Sequence, residues 1–165
     1  MSKKNKAERR KGKLRAAHSE IHLIDIENVL GRSRFAARDV ERFRPFYLKA
    51  NSVPANSVVV IGVSSSDAYL AASYGWPGAR VVYLAGKDGA DRALIAVSLE
   101  EHVEDRFEKA VIASGDHEFV EAVISLQGWG MNVTVFARAT CLSAELWSSC
   151  KNVIVFSAKD FALAA

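Results

Sequence analysis

The sequence predicts an α/β domain: a doubly wound, mostly parallel sheet with helices on both faces, three layers in all. Three observations carry this. Six short runs rich in Val and Ile, at residues 21–26, 58–63, 80–85, 110–114, 132–137 and 152–156, mostly lack the every-second-residue alternation of half-exposed strands, as expected of strands covered on both faces. Amphipathic stretches of helical period separate them, and such alternation implies right-handed βαβ units and a parallel sheet. Three of the apolar segments lead into carboxylates: Asp25 and Glu27, Asp88 and Asp91, Asp116 and Glu118.

Asp25 sits near the end of the first strand, which is followed by a helix in which Ala36, Val40, Phe43, Tyr47 and Ala50 recur at steps of four and three, a core-facing stripe. Arg34, Arg38 and Arg42 lie four apart on another face of it. After the second strand, Ser64-Ser65-Ser66 opens a helix over 66–74 that Gly75-Trp76-Pro77-Gly78 stops. The third strand runs into Lys87-Asp88-Gly89-Ala90, and the longest helix, 91–106, starts in that acidic turn. The fourth strand leads through Ser114-Gly115 to a helix over 118–127, ended by Gly128-Trp129-Gly130. Ser143 is placed as the N-cap of a helix over 143–150 before the last strand. There is no internal repeat.

A length of 165 residues fits one domain with a sizeable core. The charge is divided unevenly. Residues 1–15 carry eight bases (Lys3, Lys4, Lys6, Arg9, Arg10, Lys11, Lys13 and Arg15) and one acid, Glu8, whereas the rest holds 14 bases and 18 acids. The chain therefore divides into a basic arm, 1–18, expected to be disordered when free, and a mildly acidic domain, 19–165. Such arms bind polyanions by counterion release, or serve as solubilising tails. No apolar run approaches the roughly 20 residues of a membrane span, so no membrane contact is expected. The basic start lacks a following apolar stretch, so it does not read as a secretory signal. Cys141 and Cys150 have no CxxC spacing and no neighbouring His. They are expected to be buried or half-buried thiols in a reducing cytoplasm rather than zinc ligands or a disulfide.

In an open parallel sheet the strand C-termini share one crevice, where ligands bind. Carboxylates from three distant segments would converge there, and such a cluster, self-repelling when uncompensated, commonly serves to hold a hard cation. Oxygen-only ligands suit Mg²⁺ or Mn²⁺. Each acid also has an ordinary reading: Asp25 in an Asx-turn or as a helix N-cap, Asp91 as a helix N-cap, Asp116 and Glu118 as caps or first-turn acids. His117 is expected to be a first-turn helix residue pointing away. Lys87 either contacts a phosphate or is a solvated loop lysine. Arg32, Arg34, Arg38 and Arg42 either track a phosphate backbone or solvate their helix. Ser64 and its neighbours are phosphate donors at a helix start or a turn with its cap. The tryptophans Trp76, Trp129 and Trp147 are expected to be packing residues, with base stacking by an exposed Trp76 as the alternative. There is no GxGxxG, Walker A or GxSxG fingerprint.

Leu23-Ile24-Asp25-Ile26-Glu27-Asn28 resembles the opening D-x-x-N motif of NYN-type domains of the PIN-like nuclease superfamily. Gly89-Ala90-Asp91-Arg92-Ala93-Leu94-Ile95 is similar to their middle motif, and Ser114-Gly115-Asp116-His117-Glu118-Phe119 resembles S-G-D-x-D-F with Glu118 in place of the second Asp. Ser143-Ala144-Glu145-Leu146 and the last strand fit the C-terminal pattern, so the likeness covers about residues 21–157. The resemblance implies a PIN-like, Rossmannoid fold. It also implies a Mg²⁺- or Mn²⁺-dependent endoribonuclease in which metal-activated water attacks a phosphodiester. Asp25, Asp91 and Asp116 match the metal-binding acids, Asn28 the supporting amide, and Glu118 the fourth carboxylate. The helix after Asp91 carries Val97 and Ser98 where many relatives have a further acid.

The expected partner is RNA, held by the arm and the arginine helix, and a homodimer or protein partner is left open. The competing readings are an RNA-binding or regulatory module of the same fold without turnover, and a small-molecule phosphohydrolase.

Overall fold

The computed structural model describes residues 20–164. The expectation of a disordered arm over 1–18, with its RNA contacts, lies outside them. Six strands form one sheet: β1 (Glu20–Asp25), β2 (Val58–Val63), β3 (Arg80–Tyr83), β4 (Lys109–Ala113), β5 (Asn132–Arg138) and β6 (Asn152–Phe156). Every neighbouring pair is parallel and the order is β3-β2-β1-β4-β5-β6. All six expected strands are present, β3 ending at Tyr83 rather than running to residue 85.

The helices are α1 (Ile26–Leu30), α2 (Ala37–Ala50), α3 (Ser66–Gly75), α4 (Gly89–Glu100), α5 (Val120–Gly128), α6 (Ala144–Ser149) and α7 (Ala158–Ala164), with 3₁₀ turns at Val103–Asp105 and His117–Phe119. They cover both faces. On one, Val40, Phe43 and Tyr47 of α2 pack with Ala68 and Ala72 of α3, Ile24, Ile61 and Phe156. On the other, Leu94 and Val97 of α4, Ala122 and Leu126 of α5 and Leu146 of α6 pack with Leu23, Ile112 and Val135. Because β1 is buried on both faces, its apolar run could not alternate.

Several expectations change in detail. The stripe on α2 holds at Val40, Phe43 and Tyr47, but Ala36 and Ala50 are exposed and Phe46 joins the core. The long helix stops at Glu100 because His102 takes a left-handed φ of 51°. Trp76 is buried, edge-on to Tyr47 at 5.8 Å, and so is no base-stacking platform; Trp129 and Trp147 are the exposed tryptophans. Cys150 is buried and Cys141 half-buried, both free thiols as expected. Within the described residues no helix is long and apolar enough to cross a membrane.

Candidate functional site

The chain order reverses between β1 and β4, which lie side by side while their connections run to opposite halves of the sheet. At that switch point the loops beyond the strands diverge and leave a crevice. A cleft of about 170 Å³ lies there, lined by Asp25, Glu27, Asn28, Ser64, Asp88, Gly89, Ala90, Asp91 and Asp116.

Asp25 ends β1 and caps α1, one of its oxygens accepting the Asn28 amide at 3.1 Å. Its other oxygen accepts the Ser114 hydroxyl from the end of β4 at 3.3 Å. The ordinary and the functional readings of this residue therefore coexist. Asn28 ties the two strand ends together: its side-chain carbonyl accepts the Gly115 amide at 2.9 Å. Gly115 is required, since a Cβ there would collide with the Cys141 carbonyl of the loop after β5, and its own carbonyl accepts the Ser143 amide at 2.8 Å. Arg138, at the end of β5, donates to the Leu30 carbonyl at 2.9 Å and pins the end of α1.

Asp91 is not the N-cap. It is the third residue of α4, whose cap is Asp88 in a left-handed conformation at φ 57°. Buried Gly89 lets the start of α4 press against the Leu84 carbonyl, which a Cβ would block. Asp91 is buried and its carboxyl interacts with that of Asp25, so the pair favours keeping a proton. Burial first, then that interaction and the charges of Asp25, Asp116 and Asp88, push Asp91 up to about 9. Asp25 is also raised, chiefly by burial, against the pull of its donors. Asp116 caps the 3₁₀ turn by accepting the Glu118 amide at 2.9 Å, and stands 3.1 Å from Nδ1 of His117.

The donor set fits a hard divalent cation. One oxygen of Asp91 is buried without a hydrogen-bond partner, inside a wall of acids. Asp25 and Asp91 would hold such an ion, which would supply the positive charge that a proton otherwise provides. Among the described residues, the group of acid and His side chains whose donor atoms all lie within 4.8 Å of one another is a different one, His102, Glu104 and Asp105. It sits between α4 and β4, at the opposite end of the strands from the cleft.

Other expected residues are distributed unevenly. Glu118 is exposed, 3.4 Å from Nε2 of His117, and does not line the cleft. Lys87 is exposed in the loop before α4 and likewise lies outside the lining. Ser64 lines the cleft, but its amide and hydroxyl donate to Glu27 at 2.8 and 2.7 Å, so it orients an acid rather than presenting free donors. Arg32 is paired with Asp39 at 2.8 Å. Arg34 precedes α2 instead of belonging to it, and lines a neighbouring cavity with Phe35, Ser64 and Ser65. Arg38 and Arg42 are exposed on α2. Glu27 and Asp88 line the cleft beyond the expected set; both stand in the acidic segments, and only the fold shows that they face inward.

Among solved structures, a protein of unknown function from Vibrio parahaemolyticus is similar over 88% of this chain and 96% of that one, with a TM-score of 0.55 and 19% identity. That likeness is one of fold. No curated protein matches. The profile of the NYN domain matches residues 22–157, from the buried His of β1 to the end of β6, and takes in every residue of the cleft; the chain belongs to the NYN family of PIN-like, nuclease-type domains.

Proposed function

We propose that the protein is a metal-dependent endoribonuclease, hydrolysing RNA phosphodiesters in the acidic cleft. The observation that carries this is the buried, partnerless oxygen of Asp91 beside Asp25, in an otherwise fully pinned wall of strand ends. Asp25, Asp91 and Asp116 would hold Mg²⁺ or Mn²⁺. The ion, when bound, offsets phosphate charge and makes a nearby water more acidic. Asn28 holds the ends of β1 and β4 in register, and Ser64 fixes Glu27 at the cleft wall. With the Asn28 carbonyl engaged, its NH₂ is the group left to meet a phosphate oxygen. RNA is the proposed partner, with Arg34, Arg38, Arg42, Lys87 and the basic arm supplying affinity that is largely independent of sequence and falls steeply with salt. Glu118 would reach the site only by leaving His117. The proposal is tested by incubating mixed RNA substrates with the full chain and Mn²⁺ or Mg²⁺: wild type cuts, and Asp25→Asn and Asp116→Asn do not. RNA left intact by wild type, or cut equally by all three, sinks it.

A second reading is an RNA-binding or regulatory module without turnover. It is favoured by the outward position of Glu118 and by Val97 and Ser98, core residues where many relatives carry an acid. Calorimetric titration with Mn²⁺ separates the two, since a degenerate site takes up no ion.

A further inference from the structure

β6 forms one edge of the sheet and pairs with β5 alone. The Phe156 carbonyl points inward, accepting the Ala139 amide at 2.8 Å. Successive residues of a strand turn their backbone groups to opposite edges. Ile154 therefore shares the inward direction of Phe156, and the N–H and C=O groups of Val153 and Val155 point outward. The side chains are apolar too: Ile154 is 39% and Val155 41% exposed, and Trp147, on the helix leading into the strand, is 54% exposed. Natural proteins defend such edges with charge, proline or a bulge. The opposite edge is defended, because β3 begins with Arg80, held in a two-pronged pair by Glu101 at 2.7 and 2.6 Å. Nothing between Asn152 and Phe156 carries charge.

We propose that a second copy of this chain pairs with β6, antiparallel, across a twofold axis at Ile154. This register uses all the outward groups. The N–H and C=O of Val153 bond those of Val155 in the other copy, and the symmetric pair does the same. Ile154 then meets its own counterpart in a close, non-hydrogen-bonded position. Charge agrees with the geometry. Lys151 falls opposite Ser157 of the other copy, whose amide and hydroxyl are held by Asp160, so a base meets an acid at both ends of the joint. Such an interface is isologous and closes at two copies. The two sheets become one, and the acidic clefts, at the C-terminal ends of antiparallel sheet halves, open at opposite ends of the dimer.

The test is the solution mass of the full chain by sedimentation equilibrium. Wild type is expected at twice the chain mass of 18.0 kDa. Ile154→Lys and Ile154→Glu, which set like charges against each other on the axis, are each expected as monomers, and an equimolar mixture returns the dimer. Val155→Pro removes only an outward N–H, which an edge strand tolerates, and gives a monomer with the circular dichroism of wild type. The proposal is overturned by a wild type that stays monomeric at its highest soluble concentration. It is equally overturned by lysine and proline variants that remain dimeric, or by a mixture that fails to recover the dimer.

Discussion

Replacing Asp91 by Asn should stabilise the protein in alkaline solution while abolishing the divalent site proposed here. Asp91 titrates in the fold at about 9, against a usual 3.8. Between those values the folded chain keeps a proton that the unfolded chain has lost. Its contribution to stability is complete below about pH 4 and declines as pH rises, by about 1.4 kcal/mol per pH unit, until it is gone above about pH 9. Buried His22 acts in the opposite direction, since burial lowers it from 6.5 to about 4, so its contribution is complete above pH 6.5 and is lost below. The two slopes offset each other in acid, and above about pH 6.5, where His22 is neutral in both states, the decline belongs to the Asp91 and Asp25 pair. From there to about pH 8.5 the wild type should lose about 3 kcal/mol in the absence of divalent ions. With a urea m-value of about 2 kcal/mol/M, its midpoint should fall by about 1.5 M. Asp91→Asn has no proton to lose and should keep a nearly constant midpoint. The assay is urea unfolding followed by tryptophan fluorescence in EDTA at several pH values, repeated with Mn²⁺. The ion should raise the wild-type midpoint at high pH and leave the variant unchanged. Parallel pH curves for the two proteins would refute both the retained proton and the cation site argued from it.

Three further substitutions probe the scaffold. Asn28→Ala strips the acceptor from the Gly115 amide and should cost about 1–3 kcal/mol, with loss of RNA cleavage; denaturant unfolding and the cleavage assay read the two effects. Gly115→Ala forces the loop at Cys141 away from the β4 end and should cost about 1–3 kcal/mol for the same kind of overpacking seen in cores, again measured by unfolding. Tyr47→Phe takes the hydroxyl that lies 2.8 Å from Nδ1 of His22; leaving that buried nitrogen unpaired should cost about 1–3 kcal/mol, while the proposed cleavage at saturating metal stays unchanged because Tyr47 does not line the cleft.

The central strands were legible because a strand covered on both faces must be mostly apolar, as β1, β4 and β5 are, and the half-exposed edge strands β3 and β6 were legible by their Val and Ile alone. The carboxylates at strand ends were legible for the complementary reason: a charge cannot continue a buried strand. What escaped were features without periodicity. Helix α1 spans five residues, too short to show a stripe, and exists because Asp25 caps it and Gly31 closes it at a left-handed φ of 69°. Helix α7 buries no residue fully, so its sequence had no core-facing pattern to display. Glu27 stands two residues from Asp25, and its aim into the cleft depends on Ser64, thirty-seven residues away, which no local pattern reveals. Trp76 packs as expected, its ring filling the space beside Tyr47, whereas Trp129 and Trp147, expected to pack as well, are exposed, since a lone large ring carries no pattern that says which side it faces.

The cleft gathers Asp25, Glu27, Asp88, Asp91 and Asp116, an arrangement that repulsion should scatter. It is held by bonds that do not involve the acids' attraction for one another. Asn28 fastens the β1 end to the β4 end, Gly115 fastens that end to the loop after β5, and Arg138 fastens β5 back to α1. These pins form a closed circuit around the switch point, so no single strand end can retreat without breaking a backbone contact in another. The remaining repulsion is met at the one place the circuit leaves soft, the carboxyl pair of Asp25 and Asp91, both of which are pushed toward their protonated forms. A scaffold that fixes the positions of its charges but leaves their neutralisation to an exchangeable ion is suited to binding a divalent cation in competition with a proton. Metal affinity should accordingly rise with pH through neutrality, and it should do so in the pinned wild type more steeply than in Asn28→Ala, where the strand ends can separate and relieve the repulsion without any ion.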